Sequence, residues 1–311
     1  MAIRAIHLLA LAGVALLARP LAHGVLAFWH ESRQFIAKRW AVKLPDDAAQ
    51  LKLRDISFIA RDGAPIRGWY IPSRNRAALV MCQGSSSDRS ALLSEARALS
   101  AVGFGVLLFD WPGTGESGGK IRFGAPERAA LQSALDYLVR QTDVDSARVG
   151  AFGFSMGGFT VAQVAAIDTR IRSVVLVGTP DDARVQTRRE YAKLGVLAVW
   201  GGILALHVMR MPLDEMRPSD VVASIAPRPL LIVTGSTDIV VPSDLSRHIF
   251  DAAKDPKEFW LIEGAGHGTY AAIDSSYYHH ISQFFVRTLG PDSQSVQTPS
   301  TPRKSPLTSH S

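Results

Sequence analysis

Between Leu51 and Leu289 the apolar positions follow two patterns in turn. "LRDISFIARDGAPIRGWYIP" alternates apolar and polar residues on both sides of Asp62-Gly63, which predicts an antiparallel hairpin. After it, uninterrupted apolar runs ("ALVMCQG", "FGVLLFD", "ARVGAFGFS", "IRSVVLVGTP", "RPLLIVTGSTD", "KEFWLIEGAGH") are separated by segments with apolar residues at helical spacing. "DRSALLSEARALSAVG" ends at Gly103, "APERAALQSALDYLVRQ" has Pro126 near its first turn, and "PSDLSRHIFDAA" and "SSYYHHISQFFVRTL" close the series. Strands apolar on both faces must be covered on both faces. The pattern therefore predicts an α/β fold with a mainly parallel eight-stranded sheet, an antiparallel first hairpin and helices on both sides.

The two ends depart from this rhythm. Arg4 is followed by an uncharged run from Ala5 to Ala18, too short to span a bilayer comfortably. It has the length of a signal-peptide core, with a small-x-small site at Ala22-His23-Gly24. Alternatively the helix continues past Arg19 and Pro20 to Trp29 and serves as an anchor, with Arg33, Lys38 and Arg39 on the cytoplasmic side. Both readings stay open, and both make the protein exported or membrane-associated. The expected organisation is a leader or anchor at 1–29, a linker at 30–50, a catalytic domain at 51–289 and a polar, disordered tail rich in Ser, Thr and Pro at 290–311. Within the domain, Asp181 to Ile225 is too long for a turn and contains the apolar helix-like "LGVLAVWGGILALHVMRM".

Charge and cysteine content narrow the function. The net charge is +6, but the basic residues are scattered and lack interleaved stacking aromatics, which argues against nucleic acid and leaves an anionic membrane surface as a partner. The single cysteine, Cys82, lies in an apolar run and reads as a buried, inert thiol. Neither metal-ligand spacing nor a phosphate-binding glycine loop is present, so no cofactor and no metal are expected.

The candidate chemistry begins at "VGAFGFSMGGFTVAQVAA". Val149 to Phe154 predicts a buried strand and Met156 to Ala166 a helix, so Ser155 sits at a sharp strand-to-helix turn. Gly153 and Gly157 flank it because a Cβ there would clash. Such a G-x-S-x-G arises by chance in roughly one chain in ten of this length, so other motifs must decide. A serine hydroxyl needs a neighbouring base oriented by a carboxylate. "LLIVTGSTDIVVP" places Asp238 just past one strand, and "FWLIEGAGHGTY" places His267 just past the next. Of the nine histidines only His267 sits in a glycine-rich loop after a strand; His207, in the insertion, reads as packing. Asp181 and Asp182 are the rival acids, and Asp110 reads as shaping its own glycine loop.

On "GFSMGG", "FDWPGTGESGG", "GSTDIVVP" and "GAGHG", in that order, the chain resembles the α/β-hydrolase superfamily in its esterase, lipase and serine-aminopeptidase-like branch. The resemblance covers roughly Leu51 to Leu289. It implies a serine hydrolase that cleaves carboxylic esters or thioesters through an acyl-enzyme, with Ser155 as nucleophile, His267 as base and Asp238 as acid. The same residues serve an amidase, a peptidase or an acyltransferase, and a membrane-tethered binding protein with an idle site is the non-enzymatic rival. The resemblance further implies an oxyanion hole from the N–H groups of Met156 and Ser85, although Gln83 stands where relatives carry histidine. Residues 181–225 would form a cap, whose apolar character suggests an apolar acyl substrate and contact with membrane.

Overall fold

The structure, a computed structural model, describes residues 2–36, 38–213 and 215–290. The tail expected at 290–311 lies outside the described residues except for Gly290. Eight strands form one sheet: β1 (Arg54–Ile59), β2 (Pro65–Ile71), β3 (Ala78–Cys82), β4 (Gly105–Phe109), β5 (Val149–Phe154), β6 (Ile171–Val177), β7 (Leu230–Gly235) and β8 (Lys257–Ile262). Their spatial order is β1-β2-β4-β3-β5-β6-β7-β8. β2 is antiparallel to both of its neighbours, β1 and β4, and every other pair is parallel.

Two helical layers follow from the two-residue period of the strands. Val80, Leu107, Ala151, Val174 and Ile232 face one core, covered by α3 (Ala125–Leu138), α4 (Met156–Ile167) and α7 (Ser243–Ala252). Their neighbours Leu79, Leu108, Phe152, Val175 and Leu231 face the other, under α2 (Leu93–Ala101) and α8 (Tyr277–Leu289). Each of these side chains other than Ala151 contributes roughly 1.5–3 kcal/mol by leaving water. Cys82 is fully buried in the first core, and burial pushes its thiol well above the ordinary range, so it is inert as expected.

The amino end is one helix, α1 (Ala2–Gln34), with Pro20 inside it, and it runs beyond the boundary expected at residue 29. The expected linker therefore begins with helix, and Lys38–Arg39 then pairs in parallel with Thr114–Gly115. Trp40 fixes the next step: its N–H bonds Gly115 O at 3.0 Å and its indole bonds Asp88 at 2.6 Å. Among the described residues no helix is long and apolar enough to cross a membrane, so the spanning reading of this segment has no support there.

α1 instead packs on the insertion between β6 and β7, which forms α5 (Ala183–Tyr191), α6 (Val196–Val208) and a short helix at Pro218–Val221. Small residues make the crossing close. A Cβ on Gly24 would stand 2.9 Å from the Leu197 carbonyl, and one on Gly201 would run into the Gly24 carbonyl. Ala27, Ala198 and Tyr191 are buried beside it, and His30 Nδ1 lies 2.8 Å from the Tyr191 hydroxyl. Within Ala22-His23-Gly24, Gly24 is thus a helix-packing position.

Candidate active site

The turn between β5 and α4 has the strain that the sequence demands. Ser155 sits at φ 54, ψ −121, a conformation that a non-glycine residue adopts only when its surroundings enforce it. A Cβ on Gly153 would lie 2.5 Å from Gly158 Cα, and one on Gly157 would strike the Cys82 carbonyl. Only glycine lets α4 lie this close to β3 and β5. The Ser155 N–H bonds Val177 O at 2.8 Å, which fixes the turn to β6.

The loops after β7 and β8 then reach Ser155 from the same sheet edge. His267 Nε2 is 3.1 Å from Ser155 Oγ, and His267 Nδ1 is 2.7 Å from Asp238 Oδ2. A carboxylate only accepts, so Nδ1 carries the proton and Nε2 of the neutral ring accepts from the serine hydroxyl. Asp238 is itself held in place. Its Oδ1 accepts from the N–H groups of Val240 (2.9 Å) and Val241 (2.8 Å), and its Oδ2 also accepts from the Tyr270 hydroxyl at 3.2 Å. Burial and the Asp238 charge push the Tyr270 phenol far up, so it stays a donor. Phe154 lies against the imidazole at 4.8 Å between ring centres.

The rival carboxylates are engaged elsewhere. Asp181 accepts from the Ser219 N–H (2.7 Å), the Ser219 hydroxyl (2.9 Å) and His248 (2.7 Å), and ties the end of the cap to α7. Asp182 caps α5 through the Arg184 N–H at 2.7 Å. Asp110 is fully buried, takes the N–H groups of Arg89 and Glu116 at 2.8 and 2.9 Å and pairs with the Arg89 guanidinium, which folds its glycine loop.

Met156 opens α4, so its N–H has no acceptor within the helix and meets the positive end of the helix dipole. The loop after β3 passes against the serine, since a Cβ on Gly84 would be 3.4 Å from Ser155 Cβ. Ser85, Ser155 and Met156 together line a cavity of about 100 Å³. Gln83 points its amide into the interior, where neither the oxygen nor the nitrogen has a hydrogen-bond partner among the described residues.

Two groups of cavity residues have no sequence signal as site residues. Glu31, Gln34 and Phe35 come from the end of α1, and Gln186, Thr187 and Glu190 come from α5. Of the apolar helix α6 only Leu206 lines the cavity; Ile203 packs against the first core, and Trp200, Leu204 and Val208 face outward, Trp200 being 67% exposed. Tyr270, three residues after His267, likewise joins the site with no sequence motif to mark it.

The family model of the alpha/beta hydrolase fold matches residues 78–206. The chain is 30% identical over 263 residues to the uncharacterized protein Rv2307c of Mycobacterium tuberculosis (strain ATCC 25618 / H37Rv), covering 81% of this chain and 86% of that one. It is 25% identical over 275 residues to the polyketide transferase grgF of Penicillium sp, covering 71% and 91%. Among solved structures, the Pyrococcus furiosus esterase PF2001 superposes with a TM-score of 0.69 at 20% identity, over 82% of this chain and 98% of the esterase. The strand order, the matched model and the relative at 30% identity agree: the chain belongs to the alpha/beta-hydrolase family.

Proposed function

We propose that the protein is a serine hydrolase of carboxylic ester or thioester bonds. Ser155 Oγ attacks the carbonyl carbon while His267 Nε2 takes its proton, and Asp238 stabilises the imidazolium through Nδ1–H. The oxyanion that forms is held by the N–H groups of Met156 and Ser85. Collapse expels the alcohol or thiol, which receives the proton from Nε2, and leaves an acyl-Ser155 ester. Water, deprotonated by the same imidazole, then attacks the acyl carbon and releases the acid. No step calls on a metal or cofactor.

The observation that carries this reading is the unbroken hydrogen-bonded chain Ser155–His267–Asp238, with the serine held in strained geometry in the wall of a cavity. The test is labelling with a fluorophosphonate probe and turnover of a short p-nitrophenyl ester. Both occur in the wild type and vanish in Ser155→Ala; turnover surviving at full rate in that variant refutes the assignment. Acyl transfer to an alcohol in place of water uses the same steps, and the polyketide transferase relative favours including alcohol acceptors in the assay.

The outer face of the α1–α6 pair supports contact with a membrane surface. Leu21, Val25, Trp29, Trp200 and Leu204 are exposed there, around an apolar groove of about 370 Å³. Arg19, Arg33, Lys193 and Arg210 flank it in sequence and suit anionic headgroups. The intact chain should co-sediment with vesicles containing phosphatidylserine, and Trp29→Glu with Trp200→Glu should release it. Binding unaffected by the double substitution rejects this face.

A further inference from the structure

The cavity at Ser155 carries an uneven charge. Among the described residues its only charged lining groups are two carboxylates, Glu31 from α1 and Glu190 from α5, although the chain as a whole is net positive. Glu31 is 5% exposed, and Gln34 Nε2 donates to it at 3.2 Å. Glu190 is exposed and has no Lys or Arg ion-pair partner among the described residues. Its near neighbours Arg188 and Arg189 do not line the cavity, and Arg189 is bound to Asp244 at 2.7 Å. The rest of the wall includes three aromatic rings. Phe35 and Phe123 meet edge to face at 4.9 Å, and Phe159 lies on α4 beside the nucleophile.

Two carboxylates crowded into a partly apolar wall oppose each other's ionisation. Burial and the Glu190 charge accordingly push the Glu31 carboxyl up to about 7. Such a pair gains most from a positive charge placed between them, and aromatic faces attract the same charge through their π electrons. A ligand carboxylate placed beside the pair would be repelled by it.

We propose that this cavity selects esters whose acyl or alcohol part bears an ammonium group, with Glu31 and Glu190 as specificity-determining residues. The proposal rests on the serine-hydrolase reading of Ser155. The apolar residues Met156, Leu206 and Met211 then hold the hydrocarbon part, and Glu31 and Glu190 hold the positive group. His30 lies close enough to both carboxylates that the three could share a metal ion, so the test is run in EDTA.

The test compares isosteres that differ only in charge. Butyrylcholine is paired with 3,3-dimethylbutyl butyrate for a cation on the alcohol side. The p-nitrophenyl esters of 4-(trimethylammonio)butyrate and 5,5-dimethylhexanoate form the pair for a cation on the acyl side. In the wild type kcat/KM should favour the cationic ester by about tenfold on one of the two arms. Glu31→Gln and Glu190→Gln should each lower that ratio severalfold. A ratio of one or less on both arms, a ratio that neither substitution changes, or one that appears only without EDTA overturns the proposal. A binding arm separates this outcome from failure of the hydrolase reading. Tetramethylammonium should raise the Tm of Ser155→Ala, and adding Glu31→Gln should abolish the shift. If that result appears while no ester is turned over, the cation site stands and the hydrolase reading falls. No shift in Ser155→Ala counts against the cation site.

Discussion

The two sides of the cavity are built in different ways. On the sheet side, Ser155, Asp238 and His267 sit on short loops at strand ends, and each is tied down by hydrogen bonds: Val177 O for the serine, the Val240 and Val241 N–H groups for the aspartate, and the Asp238 carboxylate for the histidine. On the cap side, Glu31 comes from α1 and Glu190 from α5, and small residues let α1 lie on the neighbouring α6. The first side is held by local covalent and hydrogen-bond constraints, which suits groups that must keep a proton-transfer geometry. The second is held by packing across more than 150 residues of sequence, so it can change shape and chemistry without disturbing the first.

The largest effects should come from the sheet side. Ser155→Ala should lower ester turnover by about 10⁴-fold or more and abolish fluorophosphonate labelling while far-UV circular dichroism stays unchanged. Asp238→Asn should lower kcat on the order of 10³- to 10⁴-fold, because the amide presents a donor where Nδ1–H needs an acceptor. Asp181→Asn serves as its counterpart: urea unfolding should show a loss of roughly 1–3 kcal/mol from the cap anchor, with kcat within twofold of wild type. If the two aspartates exchange these behaviours, the acid lies after β6 instead of β7.

Cap-side effects should be smaller and should depend on pH. Folding raises the Glu31 carboxyl from 4.5 to about 7 through burial and the Glu190 charge. A raised acid favours the folded state while it is protonated in both states, below 4.5, and that stability is lost as pH rises through about 7. The wild type should therefore lose roughly 1–3 kcal/mol between pH 4.5 and 8 from this group. Glu31→Gln should flatten this part of the profile, with Glu190, His30 and Tyr191 still in place. Tm measured across that range checks it, and parallel profiles for the two proteins would mean that Glu31 is ionised alike in the folded and unfolded chain.

The smallest effect concerns Tyr270, which holds the acid from behind. Tyr270→Phe removes one of four donors to Asp238 and should lower kcat by about three- to tenfold, with KM nearly unchanged. A change confined to KM would place Tyr270 with substrate binding.

Some of the cap lay beyond sequence reasoning for a definite reason. The run from Ala5 to Ala18 and the helix around Trp200, each taken alone, read as apolar segments facing lipid or a substrate. In the structure, α1 carries its end, with Glu31, Gln34 and Phe35, to the cavity, and α6 gives the cavity only Leu206. The pairing of α1 with α6 rests on Gly24, Ala27, Ala198 and Gly201, residues whose smallness carries no periodic signal.

The eight strands, the antiparallel first hairpin, the turn at Ser155 and the order of Ser155, Asp238 and His267 were legible in the sequence. Each depends on a period of two or 3.6 residues, or on glycine at a fixed offset, and these are local rules. The tertiary structure alone decided that Asp238 and not Asp181 meets the imidazole, that Tyr270 stands behind it, and that the amino-terminal helix forms a wall of the cavity. Those outcomes depend on which distant segments touch, and contact between them is set by shape and burial in three dimensions, which a one-dimensional pattern does not encode.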